Sequence, residues 1–164
     1  MNRGFTLIEL LVVLSVSSVL LFVALPNVQL FYQNYQLRQL AVELKRFFSQ
    51  ARVEALTRQQ NLWIRYSVSE GGSVNGWRLS LVQHNRVTSD DNEIASTQGK
   101  GTPLFPSWTS IKLDGRTGRV LENGYLLIGD KAASGTSLKL ITHHVIGRVR
   151  ICAIGEQFYG YSEC

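Results

Sequence analysis

The chain opens MNRGFTLIELLVVLSVSSVLLFVALP, and from Phe5 to Leu25 its only ionisable side chain is Glu9. A helix over that run is roughly 31 Å long, the thickness of a bilayer hydrocarbon core. A carboxylate inside such a layer costs about 2.5–3.5 kcal/mol on insertion scales, so an acid retained there asks for a reason. Two readings stand: Glu9 lies near enough to the membrane end to reach the interface, or a partner neutralises it. A secretory signal fits poorly. The apolar stretch exceeds the usual length of about 7–15 residues, and Leu25-Pro26 leads into more helix-like sequence without a small-residue cleavage site. Arg3 is the one charge ahead of the run, which places the first residues in the cytoplasm and everything after about Pro26 across the membrane.

Beyond Pro26 the helical period continues. Leu37, Leu40, Ala41, Leu44, Phe47, Phe48, Ala51 and Ala55 recur at three- and four-residue steps, with Arg38, Glu43, Lys45, Arg46 and Arg52 between them. The pattern predicts one helix from about Phe5 to Arg58, kinked near Pro26, where proline removes a backbone donor. The first half is apolar all round; the second needs a surface along one stripe. From Asn61 the period becomes two. Strands are expected at Leu62–Val68, at Trp77–Val82, and in short pieces over Ser110–Asp114, Arg119–Leu121, Tyr125–Ile128, Ser137–Thr142 and Val145–Cys152. Asp114-Gly115 and Asn123-Gly124 read as turns, and the polar stretch Asn85–Pro103 as a long loop. A helix followed by strands indicates an α+β domain whose sheet covers the helix stripe.

Gly4-Phe5-Thr6-Leu7-Ile8-Glu9-Leu10 resembles the type IV prepilin signature. The resemblance implies cleavage after Gly4 by a prepilin peptidase and N-methylation of Phe5. It also implies that Glu9, then the fifth residue, meets the terminal ammonium of a neighbouring subunit in a filament, so the acid is not left bare in lipid. The strand-rich second half with two late cysteines resembles the FimT/GspH minor pilins and pseudopilins, and is most like FimT. The implied organisation is a leader peptide at 1–4, a transmembrane or filament-core helix half at 5–25, an amphipathic half at 26–58, and a β-rich domain at 59–164. The implied location is the bacterial inner membrane, single-pass with a periplasmic domain, and then the pilus alongside other pilins. In that oxidising compartment Cys152 and Cys164 are expected to form a disulfide, closing a loop that holds Glu156, Phe158, Tyr159 and Tyr161.

The most pointed stretch in the domain is His143-His144-Val145-Ile146-Gly147-Arg148-Val149-Arg150-Ile151-Cys152. As a strand it puts Arg148 and Arg150 on one side about 7 Å apart, near the phosphate spacing of a nucleic-acid strand. Guanidinium groups clamp phosphates, and Gly147 permits close approach. Residue chemistry alone leaves a second reading open, in which both arginines simply occupy a solvated strand face. Gly147-Arg148-Val149-Arg150 resembles the GRxR motif of FimT proteins that bind DNA in natural transformation, and the implied contact is sequence-independent. Lys139 and Lys112 are candidate additions to the basic surface, with Lys131, Arg116 and Arg119 nearby in sequence. The formal net charge of +5 agrees with an anionic partner without specifying one. The rival within the same family is a structural minor pilin or a GspH-like pseudopilin of type II secretion, which touches no DNA. The chain carries no GxSxG, HExxH, P-loop or CxxC, so no enzyme, cofactor or metal site is expected; Asp90, Asp91 and Glu93 lack the pattern of a calcium loop.

Overall fold

The computed structural model describes residues 6–69, 72, 76–84, 93–129, 137–145, 147–155 and 160–164, with the side chains of residues 23–30 outside that description. The chain divides into two compact units, Met1–Gln36 and Leu37–Cys164. Helix α1, Leu7–Arg58, supplies residues to both.

In the first unit the helix starts on Thr6. Its hydroxyl accepts the backbone N–H of Glu9 at 3.3 Å, and its carbonyl accepts that of Leu10 at 3.2 Å. Thr6 is thus an N-cap, and Glu9 sits in the first turn, where a negative charge is favoured by the free N–H groups. Residues 6–22 are all exposed, Leu7 by 78% and Phe22 by 80%. The polar groups within this apolar stretch are satisfied internally. Ser15, Ser17 and Ser18 donate to the carbonyls of Val12, Val13 and Ser15 at 2.7–2.8 Å. Among the described residues no helix is long and apolar enough to cross a membrane.

In the second unit the expected stripe is the buried face of α1. Leu37, Ala41, Leu44, Phe47, Phe48, Ala51 and Ala55 are all buried, and Leu40 packs against them half-buried. Among the described residues eight strands follow: β1 Leu62–Val68, β2 Trp77–Val82, β3 Glu93–Gly99, β4 Leu104–Pro106, β5 Ser110–Leu113, β6 Gly124–Ile128, β7 Ser137–Thr142 and β8 Val149–Ile154. They form two four-stranded sheets, ordered β3-β2-β1-β5 and β4-β6-β7-β8, with every ladder antiparallel. Alternation places Leu62, Ile64, Leu79, Leu81, Ile111 and Leu113 of one sheet in the same core as Leu126, Ile128, Leu138, Leu140, Ile151 and Ala153 of the other. Full burial of a Leu or Phe side chain contributes about 1.5–3 kcal/mol, so this shared core is what orders both sheets.

Three sequence expectations change. The stretch 85–103 is not one loop: residues 85–92 lie outside the description, but Glu93–Gly99 is strand β3, paired with β2. It reads as polar because an edge strand needs no continuous apolar face, and Glu93 is spent on an ion pair with Arg78 at 2.8 Å. Arg119–Leu121 is no strand; only Val120 bridges, to Leu113. The last strand begins at Val149 instead of Val145. Ahead of it, His144 and Val145 lie in a turn, and Gly147, at φ 63°, donates its N–H to the His143 carbonyl at 2.8 Å.

The expected disulfide is present, Cys152 to Cys164, with Cα atoms 5.0 Å apart. It fastens the tail along the free edge of β8. Ala153 N–H donates to the Ser162 carbonyl at 2.9 Å, and Cys164 N–H to the Ala153 carbonyl at 3.0 Å. The tail therefore covers an edge that would otherwise offer bare backbone groups. Replacing both cysteines by serine should lower the unfolding free energy by about 3 kcal/mol in denaturant titration. Amide exchange should quicken first at Ala153 and Cys164; an unchanged midpoint would mean that the tail holds without the bond.

Candidate nucleic-acid interface

The candidate basic residues fall into three places within the second unit. The first is the outward face of the β4-β6-β7-β8 sheet. Lys139 faces Cys152 across the β7–β8 ladder, and Arg150 faces Ile141 on the same side. Arg150 is exposed and donates from Nη2 to Ser162 Oγ at 3.0 Å, so the disulfide-held tail fixes its direction. Lys139 Nζ lies 4.4 Å from the Tyr125 ring centroid, a cation–π contact.

The second place is the outward face of the other sheet, where Lys112 Nζ lies 5.3 Å from the centroid of Trp63. Lys112 thus belongs to a different sheet from Arg150 and Lys139, and no described contact joins it to them. Lys131, Ile146 and Tyr159 lie outside the described residues, as do Gly4 and Phe5, together with Asp90, Asp91, Glu156 and Phe158. Tyr161 of the disulfide loop packs half-buried against the core.

The third place is a cleft between α1 and two turns, and here the structure departs most from the sequence reading. Arg148 is not a β8 residue. It precedes the strand, and its carbonyl accepts His143 N–H at 3.3 Å. Its side chain lines a cavity of about 140 Å³ together with Lys45, Ser49 and Arg52 of α1, and with Gly118 and Gly147. The picture of two arginines on one strand face therefore gives way to Arg150 on the outer sheet face and Arg148 beside the helix. Sequence reasoning assigned Lys45 and Arg52 to the solvated side of α1. Their seven-residue spacing does put them on one line, two helical turns apart. Which loop faces that line depends on contacts remote in sequence, so nothing local marks it.

Both glycines are there for packing. Gly147 is buried, and a Cβ on it would sit 2.8 Å from Arg119 Cγ; a Cβ on Gly118 would sit 2.8 Å from Arg52 Cγ. Their φ angles, 63° and 64°, lie in the left-handed region that glycine adopts freely. The close approach that Gly147 permits is thus that of an arginine stem. The Gly118 turn is held by Asp114. Asp114 Oδ2 accepts the Thr117 hydroxyl at 2.6 Å and Thr117 N–H at 3.1 Å, and the hydroxyl chiefly lowers the carboxyl's pKa below its ordinary value. The turn at His144 is pinned in its own way. Asn123 Oδ1 accepts His144 N–H at 3.0 Å and lies 2.9 Å from His144 Nδ1. Among the described residues no group of three His, Cys, Asp or Glu side chains converges as a metal site.

A long N-terminal helix followed by antiparallel sheets is the type IV pilin-like fold, and residues 1–25 match the family described as the prokaryotic N-terminal methylation motif. Among solved structures, the chain is similar to the type IV minor pilin FimU of Pseudomonas aeruginosa strain PAO1. One crystal form, in space group P21, matches with TM-score 0.57 at 16% identity, over 74% of this chain and 91% of that one. A second, in P65, matches with TM-score 0.53 at 16% identity, over 68% and 88%. No curated protein matches the chain.

Gly147→Ala should destabilise the domain by about 1–2 kcal/mol through the left-handed backbone alone, and by more through the clash with Arg119. In an Arg119→Ala background the loss measured by denaturant titration should shrink to the backbone part. An unaltered midpoint in either background would remove the glycine from this account.

Proposed function

We propose that the chain is a minor type IV pilin that binds extracellular DNA, without sequence preference, through Arg148 and Arg150. The observation that carries the reading is that both arginines are exposed and pair with no carboxylate among the described residues. Arg148 reaches phosphate from the cleft and Arg150 from the sheet face, with Lys139 beside it; such contacts position a backbone and read no bases. Lys112, on the other sheet, is a weaker candidate. In this reading a prepilin peptidase removes the leader at Gly4, Phe5 is methylated, and the apolar run holds the chain in the inner membrane before assembly. Glu9 then meets the amino terminus of a neighbouring pilin, while the β-rich domain is carried outward on the filament. Several weak sites on one filament give useful avidity together.

One observation favours a second reading, a structural minor pilin or pseudopilin without DNA. The Arg150 hydrogen bond to Ser162 gives that arginine an architectural task of its own.

A gel-shift titration of the full chain in neutral detergent against mixed-sequence DNA separates the two. The DNA reading expects binding whose logarithm falls linearly with the logarithm of salt concentration. Arg148→Ala/Arg150→Ala should weaken it at least about tenfold with an unchanged circular dichroism spectrum. Equal binding by the wild type and the folded variant favours the structural reading.

A further inference from the structure

The cleft beside Arg148 carries more positive charge than the motif that led to it. Three cations line it, Lys45 and Arg52 from the helix and Arg148 from the turn, and no carboxylate is among its lining residues. Arg119 packs its stem against Gly147 at the cleft margin, adding a fourth cation close by. Of the acids near these elements in sequence, Glu54 pairs with Arg58 at 2.6 Å, Glu43 accepts the Thr97 hydroxyl, and Asp114 accepts from Thr117. Among the described residues no ion pair neutralises Lys45, Arg52, Arg119 or Arg148.

Like charges that line one cleft repel one another, and an anion between them removes that cost. The cleft, about 140 Å³, has room for a single tetrahedral oxyanion. Arginine offers a planar fork of donors to such a group and lysine a point charge, the combination suited to phosphate oxygens. The Ser49 hydroxyl donates to the Lys45 carbonyl at 2.9 Å, so its lone pairs are free to accept, and its place in the lining leaves the donors to the three cations.

We propose that this cleft seats one backbone phosphate of the bound nucleic acid, making Lys45 and Arg52 DNA-contacting residues alongside Arg148. The proposal rests on the DNA-binding reading above and extends it from the C-terminal turn onto α1. It assigns the two arginines of the motif different tasks: Arg148 closes a three-cation seat for one phosphate, and Arg150 meets the strand farther along, on the sheet face.

The test compares three full-length chains in neutral detergent, titrated with a short mixed-sequence duplex over a salt series: wild type, Lys45→Gln/Arg52→Gln, and Arg148→Ala/Arg150→Ala. Lys45 and Arg52 are exposed, and glutamine is a good helix former, so the helix variant keeps its fold; thermal unfolding by circular dichroism verifies this. The proposal expects the helix variant to bind about tenfold more weakly. The slope of log K against log salt should also become shallower by about one, the signature of one lost phosphate contact. If the helix variant binds like wild type while the turn variant is weakened, the cleft is no phosphate seat, although the DNA-binding reading survives. If the turn variant also binds like wild type, or the wild type does not bind, the DNA-binding reading falls and this inference falls with it.

Discussion

Burial of one helical stripe is the constraint on which the rest of the domain depends. Leu44, Phe48, Ala51 and Ala55 of α1 are at most 2% exposed, and the inner faces of both sheets meet in the same core. Neither four-stranded sheet has a second apolar layer of its own among the described residues; each is completed by the helix and by the other sheet. With the stripe fixed inward, the flank of α1 that carries Lys45, Ser49 and Arg52 must face the two glycine turns. The cationic cleft is thus a by-product of core packing, and its position is as rigid as the core itself.

The same helix has opposite requirements in its two halves. Residues 6–22 offer apolar side chains on every side and bury none of them within the first unit. Soluble monomers do not keep such a surface bare, so lipid or other subunits must cover it. The local details suit such surroundings. The serine hydroxyls bond back to their own helix, and Glu9 lies in the first turn instead of mid-span. Within the run, that leaves the Glu9 carboxylate as the group whose charge an apolar surrounding would penalise, and the filament contact proposed for it removes the penalty.

Much of this was legible in the residues. The helix stripe, β1, β2 and β7 stand where periodicity puts them, since burial on one face imposes period 3.6 or 2 on the sequence. The disulfide follows from two late cysteines and an oxidising compartment. What escaped was set by remote partners. Strand β3 pairs through its backbone and shows polar side chains to solvent, so it resembles a loop in sequence. The sequence from Val145 to Arg148 alternates like a strand, yet Gly147 takes a positive φ and bonds to the His143 carbonyl, and the strand starts only at Val149. The site was legible as charge but not as geometry. Arg148 and Arg150 were visible as a pair, while the pairing of Arg148 with Lys45 and Arg52 required knowing which turn lies against which face of the helix.

The central claim is that one helix serves two environments, apolar surroundings for its first half and the water-exposed domain for its second. Alkaline carbonate extraction of membranes from bacterial cells expressing the full chain tests it most directly, with the thiols of the retained protein alkylated in the same sample. The account predicts that the chain stays with the membrane fraction, with Cys152 and Cys164 protected from alkylation until reduced. Release of the chain by carbonate, or free thiols in the retained protein, would contradict it.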